Sequence, residues 1–398
     1  MKFSVTSNEF INAINKVIGV IPTRSTLPIL GNVYLSLEEN TLTVIGTDLE
    51  IFIKNLVKVN GKVDGKIAVP AKRLETLLQN LGDRELNFEL QQNYKLVIKA
   101  KGARWVITGE DPNDFPLPAE IDNPKIVVIN NILLCKYLSK AIHAASNDEL
   151  RRSMNGVFLE VKKNEFRVVS TDGHRLVKIT NEKFDYDGDK FTILIPIKTC
   201  QIINKLFKGS KIAESVVVEN QSENGENIDT VEQPLISSNV NISLNSEFMQ
   251  CDFDNISITS RLIDDTFPNY ESVIPTDNEK TLKVEKLSLI GSVKRSIIMS
   301  DETTKKTSFN INDNELKVKA ANNEYGTDSE ETIECTYTDE EPFEIAFNGK
   351  YLLEAIQNFD SNEILFDFNS PLKASILRPS EQQEGEDMMM LVMPVRNI

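Results

Sequence analysis

Ile67-Ala-Val-Pro70-Ala-Lys72-Arg-Leu74-Glu-Thr-Leu77-Leu78-Gln-Asn-Leu81 passes from an apolar run into a stripe of apolar residues three and four apart. That is the pattern of a strand feeding a helix. It returns as Ile193-Leu-Ile-Pro196-Ile-Lys198-Thr-Cys-Gln-Ile202-Ile203-Asn-Lys-Leu206-Phe207 and again as Ile345-Ala-Phe-Asn348-Gly-Lys350-Tyr-Leu352-Leu353-Glu-Ala-Ile356-Gln-Asn-Phe359. Proline at the first two junctions suits a helix start, where its missing N–H costs no hydrogen bond. A second motif recurs beside the first. Leu42-Thr-Val-Ile-Gly-Thr-Asp48 matches Phe166-Arg-Val-Val-Ser-Thr-Asp172, and both match Leu316-Lys-Val-Lys-Ala-Ala-Asn-Asn323. From Asp48 to Asp172 is 124 residues and from Asp172 to Asn323 is 151, while Pro70, Pro196 and Asn348 are 126 and 152 apart. Two independent motifs with nearly the same spacing define three copies of one unit.

Each copy opens on an amphipathic helix, near 8–20, 133–146 and 284–300. The second helices fall at 71–81, 197–208 and 348–359. The first two copies end at Phe115-Pro116 and Phe267-Pro268, and the third at Val392-Met393-Pro394. The boundaries are therefore set at 1–125, 126–278 and 279–398. The middle copy is longer, and its excess falls in 209–240, a stretch rich in Asn, Ser, Glu and Gly that reads as a surface loop or hairpin insertion. Between the helices lie short alternating segments such as 86–90, 95–99, 157–161 and 364–368. The expected class is α+β, three repeated domains with two helices packed on antiparallel sheets in each.

A chain of 398 residues has room for two or three such domains. No apolar run approaches the ~20 residues of a membrane span, and the start lacks the long apolar stretch of a signal peptide. A cytoplasmic location is expected. Cys135, Cys200, Cys251 and Cys335 form no C-x-x-C pair and read as small buried hydrophobes. The chain has no phosphate-binding G-x-x-x-x-G-K-[ST] loop and no G-x-S-x-G elbow. Asp172 and His174 would share one face of a strand, yet no nucleophile accompanies them. Asp48, Asp172 and Asn323 sit in three different copies, too far apart to share a metal. No catalytic residue, metal site or cofactor is therefore expected. The rival readings are a metal-dependent nuclease or phosphoesterase and a peptide-binding repeat scaffold.

The formal charge is −16, which taken alone argues against nucleic acid. The six expected helices carry the opposite sign. They hold Lys16, Lys72, Arg73, Lys136, Lys140, Lys198, Lys205, Lys208, Lys286, Lys294, Arg295 and Lys350 against only Glu9, Glu75, Glu285 and Glu354. Three copies that turn a basic helical face the same way would make a basic stripe inside an acidic shell. Such a stripe holds phosphate without reading sequence.

Several local motifs carry a resemblance as well. Met1-Lys-Phe, Thr26-Leu-Pro-Ile-Leu-Gly-Asn32, Gly46-Thr-Asp-Leu-Glu50, Asp114-Phe-Pro116, Asn155-Gly156, Thr171-Asp-Gly-His-Arg-Leu176, Phe267-Pro-Asn-Tyr270, Ala321-Asn-Asn323 and Val392-Met-Pro394 run the length of the chain. In these the chain resembles the bacterial DNA polymerase III beta subunit family, the beta sliding clamps. The resemblance implies a head-to-tail homodimer closing a six-domain ring around duplex DNA, with helices lining the hole. It implies a groove between the second and third domains that takes short Gln- and Leu/Phe-containing peptides. Those would come from the polymerase III alpha subunit, the clamp loader, repair and translesion polymerases and ligase-type partners. The matching groove residues are Met154, Thr171, Gly173, His174, Arg175, Leu176, Pro268, Val273, Leu391, Val392, Met393 and Pro394. DNA contacts are implied for Arg24, Lys72, Arg73, Arg152, Lys198 and Lys205, with Arg73 also placed to serve the ring interface. At that interface Arg104 would approach Ile298, Met299, Glu330 and Glu331. No metal, cofactor or membrane partner is implied.

Overall fold

The computed structural model describes residues 1–208 and 238–395. Of the insertion expected at 209–240, residues 209–237 lie outside the described residues, as does the tail Arg396-Asn397-Ile398. Residues 239 and 240 open a regular strand, Asn239–Leu244.

The first copy runs β1 (Lys2–Thr6), α1 (Ser7–Val17), β2 (Asn32–Glu38), β3 (Thr41–Thr47), β4 (Ile51–Lys58), β5 (Asn60–Val63), β6 (Gly65–Pro70), α2 (Ala71–Gln79), β7 (Glu85–Gln91), β8 (Lys95–Ala100) and β9 (Ala103–Thr108). The second runs β10 (Lys125–Asn130), α3 (Asn131–Ile142), β11 (Gly156–Lys162), β12 (Glu165–Thr171), β13 (Arg175–Asn181), β14 (Phe191–Pro196), α4 (Ile197–Lys208), β15 (Asn239–Leu244), β16 (Phe248–Phe253) and β17 (Ile256–Arg261). The third runs β18 (Lys280–Glu285), α5 (Lys286–Met299), β19 (Lys306–Asn312), β20 (Glu315–Asn322), β21 (Thr327–Tyr337), β22 (Phe343–Asn348), α6 (Gly349–Gln357), β23 (Glu363–Phe368), β24 (Ser375–Pro379) and β25 (Glu386–Val392). Apart from the extra β5, the order is the same three times, and every pairing is antiparallel.

Local chemistry explains the starts and turns. Thr6 caps α1 and exchanges hydrogen bonds with Glu9 in a capping box. Pro70 stands at the start of α2, and at the equivalent place Asn348 caps α6 by accepting from the amides of Lys350 and Tyr351. Asp48 accepts from the amides of Glu50 and Ile51, and Asp172 from those of His174 and Arg175. In the third copy Asn322 plays this part, accepting from the amides of Glu324 and Tyr325. The equivalent of the two aspartates is thus Asn322 and not Asn323; both side chains suit such a turn, and the sequence alone left two adjacent choices.

By contact density the chain forms two compact units, Met1–Cys135 with Gln201–Leu262 and Lys136–Cys200 with Ile263–Ile398. The second copy thus contributes strands to both units. Unit one holds a five-stranded sheet ordered β5-β1-β7-β8-β9 and an eight-stranded sheet ordered β10-β15-β16-β17-β4-β3-β2-β6. In the latter, the first and second copies join where β4 pairs β17, with Ile53 opposite Ile258. Unit two holds a twelve-stranded arrangement, β14-β11-β12-β13-β25-β24-β23-β18-β21-β20-β19-β22. There the second and third copies join where β13 pairs β25, with Val177 opposite Met390.

Buried aromatics anchor each core, with Phe3, Phe10 and Phe88 in unit one and Phe309, Phe347, Phe366 and Phe368 in unit two. Cys135, Cys200 and Cys251 are buried and Cys335 is partly so. Burial pushes Cys135 and Cys335 up to about 11, so neither is a thiolate at neutral pH. Among the described residues no helix is long and apolar enough to cross a membrane, and no three His, Cys, Asp or Glu side chains group to hold a metal.

Gly46 on β3 lets α1 seat on the sheet. A Cβ there would stand 2.8 Å from the Val17 carbonyl oxygen and 3.1 Å from Ile21 Cγ1. Gly46→Ala should cost about 2 kcal/mol by forcing the helix off the sheet; denaturant unfolding of the purified chain measures it.

Candidate functional site

The β12–β13 turn builds one side of a groove in unit two. Gly173 adopts φ +87°, a left-handed conformation that favours glycine. The Thr171 hydroxyl accepts from the Gly173 amide and donates to the Arg175 carbonyl at 2.7 Å. Asp172 takes two backbone amides, and its other oxygen accepts from Arg175 Nε at 3.1 Å. Its carboxylate is therefore committed to the turn and does not orient the His174 ring, which stacks near Tyr351 instead.

Arg175 is the hub of this region. Its guanidinium donates to the Glu354 carboxylate and the His143 carbonyl, and lies 4.5 Å from the centre of the Tyr351 ring. One β-turn, the end of α3 and the face of α6 are thereby fixed to each other. Burial, and then the positive charge of Arg175, hold the His143 imidazole down to about 4.

The groove itself has a volume of about 550 Å³. Its floor is apolar, with Leu176, Tyr270, Ala374 and Leu391 all buried in one cluster with Val169 and Met389. Its rim carries Met154, Val273, Ile274, Leu372 and Met393, and Pro268 lines one wall. Val273, Leu372 and Met393 are 55%, 69% and 40% exposed, an unusual set of large apolar side chains open to water. At one end Lys373 pairs with Asp277 at 2.6 Å, and that hydrogen bond holds the Asp277 carboxyl below its ordinary value.

Nine of the twelve expected groove residues line it: Met154, Thr171, Gly173, Arg175, Leu176, Pro268, Val273, Leu391 and Met393. Three do not. Strand alternation sends Leu391 and Met393 to the groove and turns Val392 inward, where it is fully buried. Pro394 bridges to Phe347, and His174 contributes its carbonyl, which accepts from the Met393 amide. The residues not foreseen are Tyr270, Ile274, Leu372, Lys373, Ala374 and Asp277 among others. Tyr270 ended a quoted motif, but nothing in Ser370-Pro-Leu-Lys-Ala374 marks it as more than a turn.

Arg24, Lys72, Arg73, Arg152, Lys198 and Lys205 are all exposed, Lys72 while pairing with Glu75 at 2.6 Å. The basic helical face expected of each copy does not draw on every base of the six helices, since several are held by partners. Lys136 pairs with Glu386, nearly buried Lys140 pairs with Asp360, Lys286 donates to the Phe359 carbonyl and Arg295 grips Glu331 with two bonds of 2.7 Å. A long side chain on a helix flank reaches the neighbouring sheet or helix as readily as solvent.

Arg104 lies outward on β9, which pairs with β8 alone among the described residues. Glu330 lies outward on β21, whose 327–334 stretch pairs, among the described residues, with β20 alone. Ile298 and Met299 end α5, with Ile298 74% exposed.

Because His143 titrates near 6.5 when unfolded and about 4 when folded, the unfolded chain takes up the extra proton. Its contribution is complete above pH 6.5 and is lost as pH falls toward 4. His143→Gln should therefore spare about 2 kcal/mol of the stability lost between pH 7 and pH 5. Urea unfolding of both chains at the two pH values gives the difference.

Residues 1–119, 129–269 and 271–396 match the N-terminal, central and C-terminal domain models of the DNA polymerase III beta subunit. The beta sliding clamp of Vibrio cholerae serotype O1 is 25% identical over the whole of both chains. That of Streptococcus pneumoniae serotype 4 is 27% identical over 99% of each. A Pseudomonas aeruginosa sliding clamp solved with griselimycin bound superposes with a TM-score of 0.87 at 25% identity, covering 100% of this chain and 99% of its own.

Proposed function

The chain belongs to the DNA polymerase III beta subunit family, and on that premise we propose how its own residues do the work of a sliding clamp. Its function is to encircle duplex DNA as a homodimer and tether the replicative polymerase and other partners, with no chemistry of its own. We place it in the cytoplasm and keep the domain boundaries at 1–125, 126–278 and 279–398.

The observation that carries the ring is the repeated strand pairing. The first copy meets the second through β4 and β17, and the second meets the third through β13 and β25. The third copy's equivalent of β4 and β13 is β21, and the first copy's equivalent of β17 and β25 is β9. Among the described residues both have an open edge. A closing heterologous contact between two chains satisfies both.

The register follows from equivalence. Ile258 and Met390 each stand five residues before an amide bonded to the strand that precedes the second helix, Ile263 to Leu194 and Val395 to Ala346. In the first copy Glu110 bonds Ala68, which makes Trp105 the equivalent residue. Ile53 and Val177 each follow the partner of the residue before the turn aspartate, and in the third copy that position is Ser329. Trp105 of one protomer then faces Ser329 of the other, and Arg104 faces Glu330, both on the outward side. Glu331 falls on the inward side, where Arg295 already holds it. Ile298 and Met299 supply apolar surface at the same edge.

The groove receives peptide partners. A deep apolar floor with an adaptable methionine rim fits Leu or Phe side chains, and the turn and the Lys373–Asp277 end supply polar anchors. A Pseudomonas aeruginosa relative was solved bound to griselimycin, and we assign that ligand to the groove on this chain because the groove is apolar and open enough to receive it. Exposed Arg24, Lys72, Arg73, Arg152, Lys198 and Lys205 are the DNA contacts, acting by charge rather than by base readout. Arg73 also stands as a candidate for the ring interface.

Arg104→Glu should shift the dimer toward monomer in sedimentation, as should Glu330→Arg, and the double charge swap should restore the dimer. A swap no better than either single change rejects this register. On nicked circular DNA the protein should be retained and should escape once the circle is cut. Reversing charge at Arg24, Lys198 and Lys205 should weaken retention and lower its salt dependence.

A further inference from the structure

We propose that Arg167 is a positioning residue of the groove, holding the wall 267–275 against the sheet without touching a bound peptide. This deepens the groove reading and rests on it. Among the described residues the wall pairs with no strand, and its one regular element is a short 3-10 turn, Tyr270–Val273. Side chains therefore fix it. On the apolar side Phe267 stacks on Phe158 with ring centres 4.7 Å apart, and Tyr270 joins the floor cluster. On the polar side the fastening is Arg167, which rises from β12 with its side chain only 14% exposed. Its Nη1 donates to the Tyr270 hydroxyl and to Glu271 Oε1, each at 2.8 Å, and its Nη2 reaches Glu165 at 2.9 Å. Glu160 stands 3.7 Å away.

Three carboxylates thus converge on one guanidinium, with Lys162 on Glu165 and Lys190 on Glu160 completing the balance. Two of those acids belong to the sheet and the third, Glu271, to the wall. Removal of Arg167 leaves the Tyr270 hydroxyl without its donor and sets Glu271 beside like charges, so the wall moves outward and the floor beneath Val273 and Ile274 opens. A lysine cannot replace it, because one ammonium does not span the hydroxyl and two carboxylates as a planar fork does. Arg167 does not line the groove, so its effect reaches a ligand only through Tyr270 and the wall.

The test is calorimetric titration of the full chain with griselimycin, comparing wild type, Arg167→Met, Arg167→Lys, Tyr270→Phe and the Arg167→Met/Tyr270→Phe double variant. Arg167→Met should bind about tenfold more weakly, as the loss of a charge-assisted hydrogen bond predicts. Arg167→Lys should recover little of this. Tyr270→Phe should weaken binding in the same direction, and the double variant should be no weaker than Arg167→Met alone, because both changes break one bond. Sedimentation and retention on circular DNA should stay at wild-type values. Unchanged affinity in Arg167→Met or in Tyr270→Phe overturns the proposal, and so do losses that add in the double variant. Failure of the wild-type chain to bind griselimycin, or binding left unchanged by Val273→Ala with Met393→Ala, defeats the groove reading first, and this one with it.

Discussion

An antiparallel strand with one side unpaired leaves a row of N–H and C=O groups that must find partners or water. This chain meets that demand the same way at each internal junction: the hairpin strand after the turn aspartate of one copy takes the last strand of the next. β4 accepts β17 and β13 accepts β25. Backbone pairing tolerates changes of side chain, which lets three copies of divergent sequence keep one joining geometry. The same geometry leaves β9 and the first part of β21 without a second mate among the described residues of a single chain. The ring closure proposed above repeats, for a third time, a junction already made twice within the chain.

The groove is a by-product of one of these junctions. Where β13 meets β25, the turn before the first strand, the loop after β23 and the irregular segment after β17 crowd around the seam. Strands supply a rigid floor in Leu176 and Leu391, and loops supply walls that only side chains hold. Rigidity below and adjustable walls above suit the peptide-binding role proposed above for this groove. Arg175 ties this seam to α3 and α6, so the helices and the groove share a common support.

The repeat was legible because strand-to-helix transitions leave two periodicities side by side, and all six helices lie where those transitions put them, within a few residues at the ends. Adjacent choices were harder. Asn322 and Asn323 are chemically alike, and only the hydrogen bonds to Glu324 and Tyr325 separate them. Within Leu391–Pro394 the alternation of faces decides which residues meet the groove, and a one-residue shift in register reverses the answer. Charge was the least legible. Lys136, Lys140, Lys286 and Arg295 contribute to the basic count of the helices yet are committed to partners remote in sequence, at positions 386, 360, 359 and 331. A count of charges on an element cannot say which of them are already neutralised by a partner.

The unit that repeats is not the unit that coheres. The compact bodies of this chain are bounded inside α3 and α4, so the middle copy lends half of its strands to each neighbour. A segment cut out at the repeat boundaries would carry severed sheets at both ends. The ancestral module, once triplicated, has surrendered its autonomy: its copies can drift in sequence but cannot be shuffled, deleted or transplanted as cassettes, because each is finished only by the one beside it.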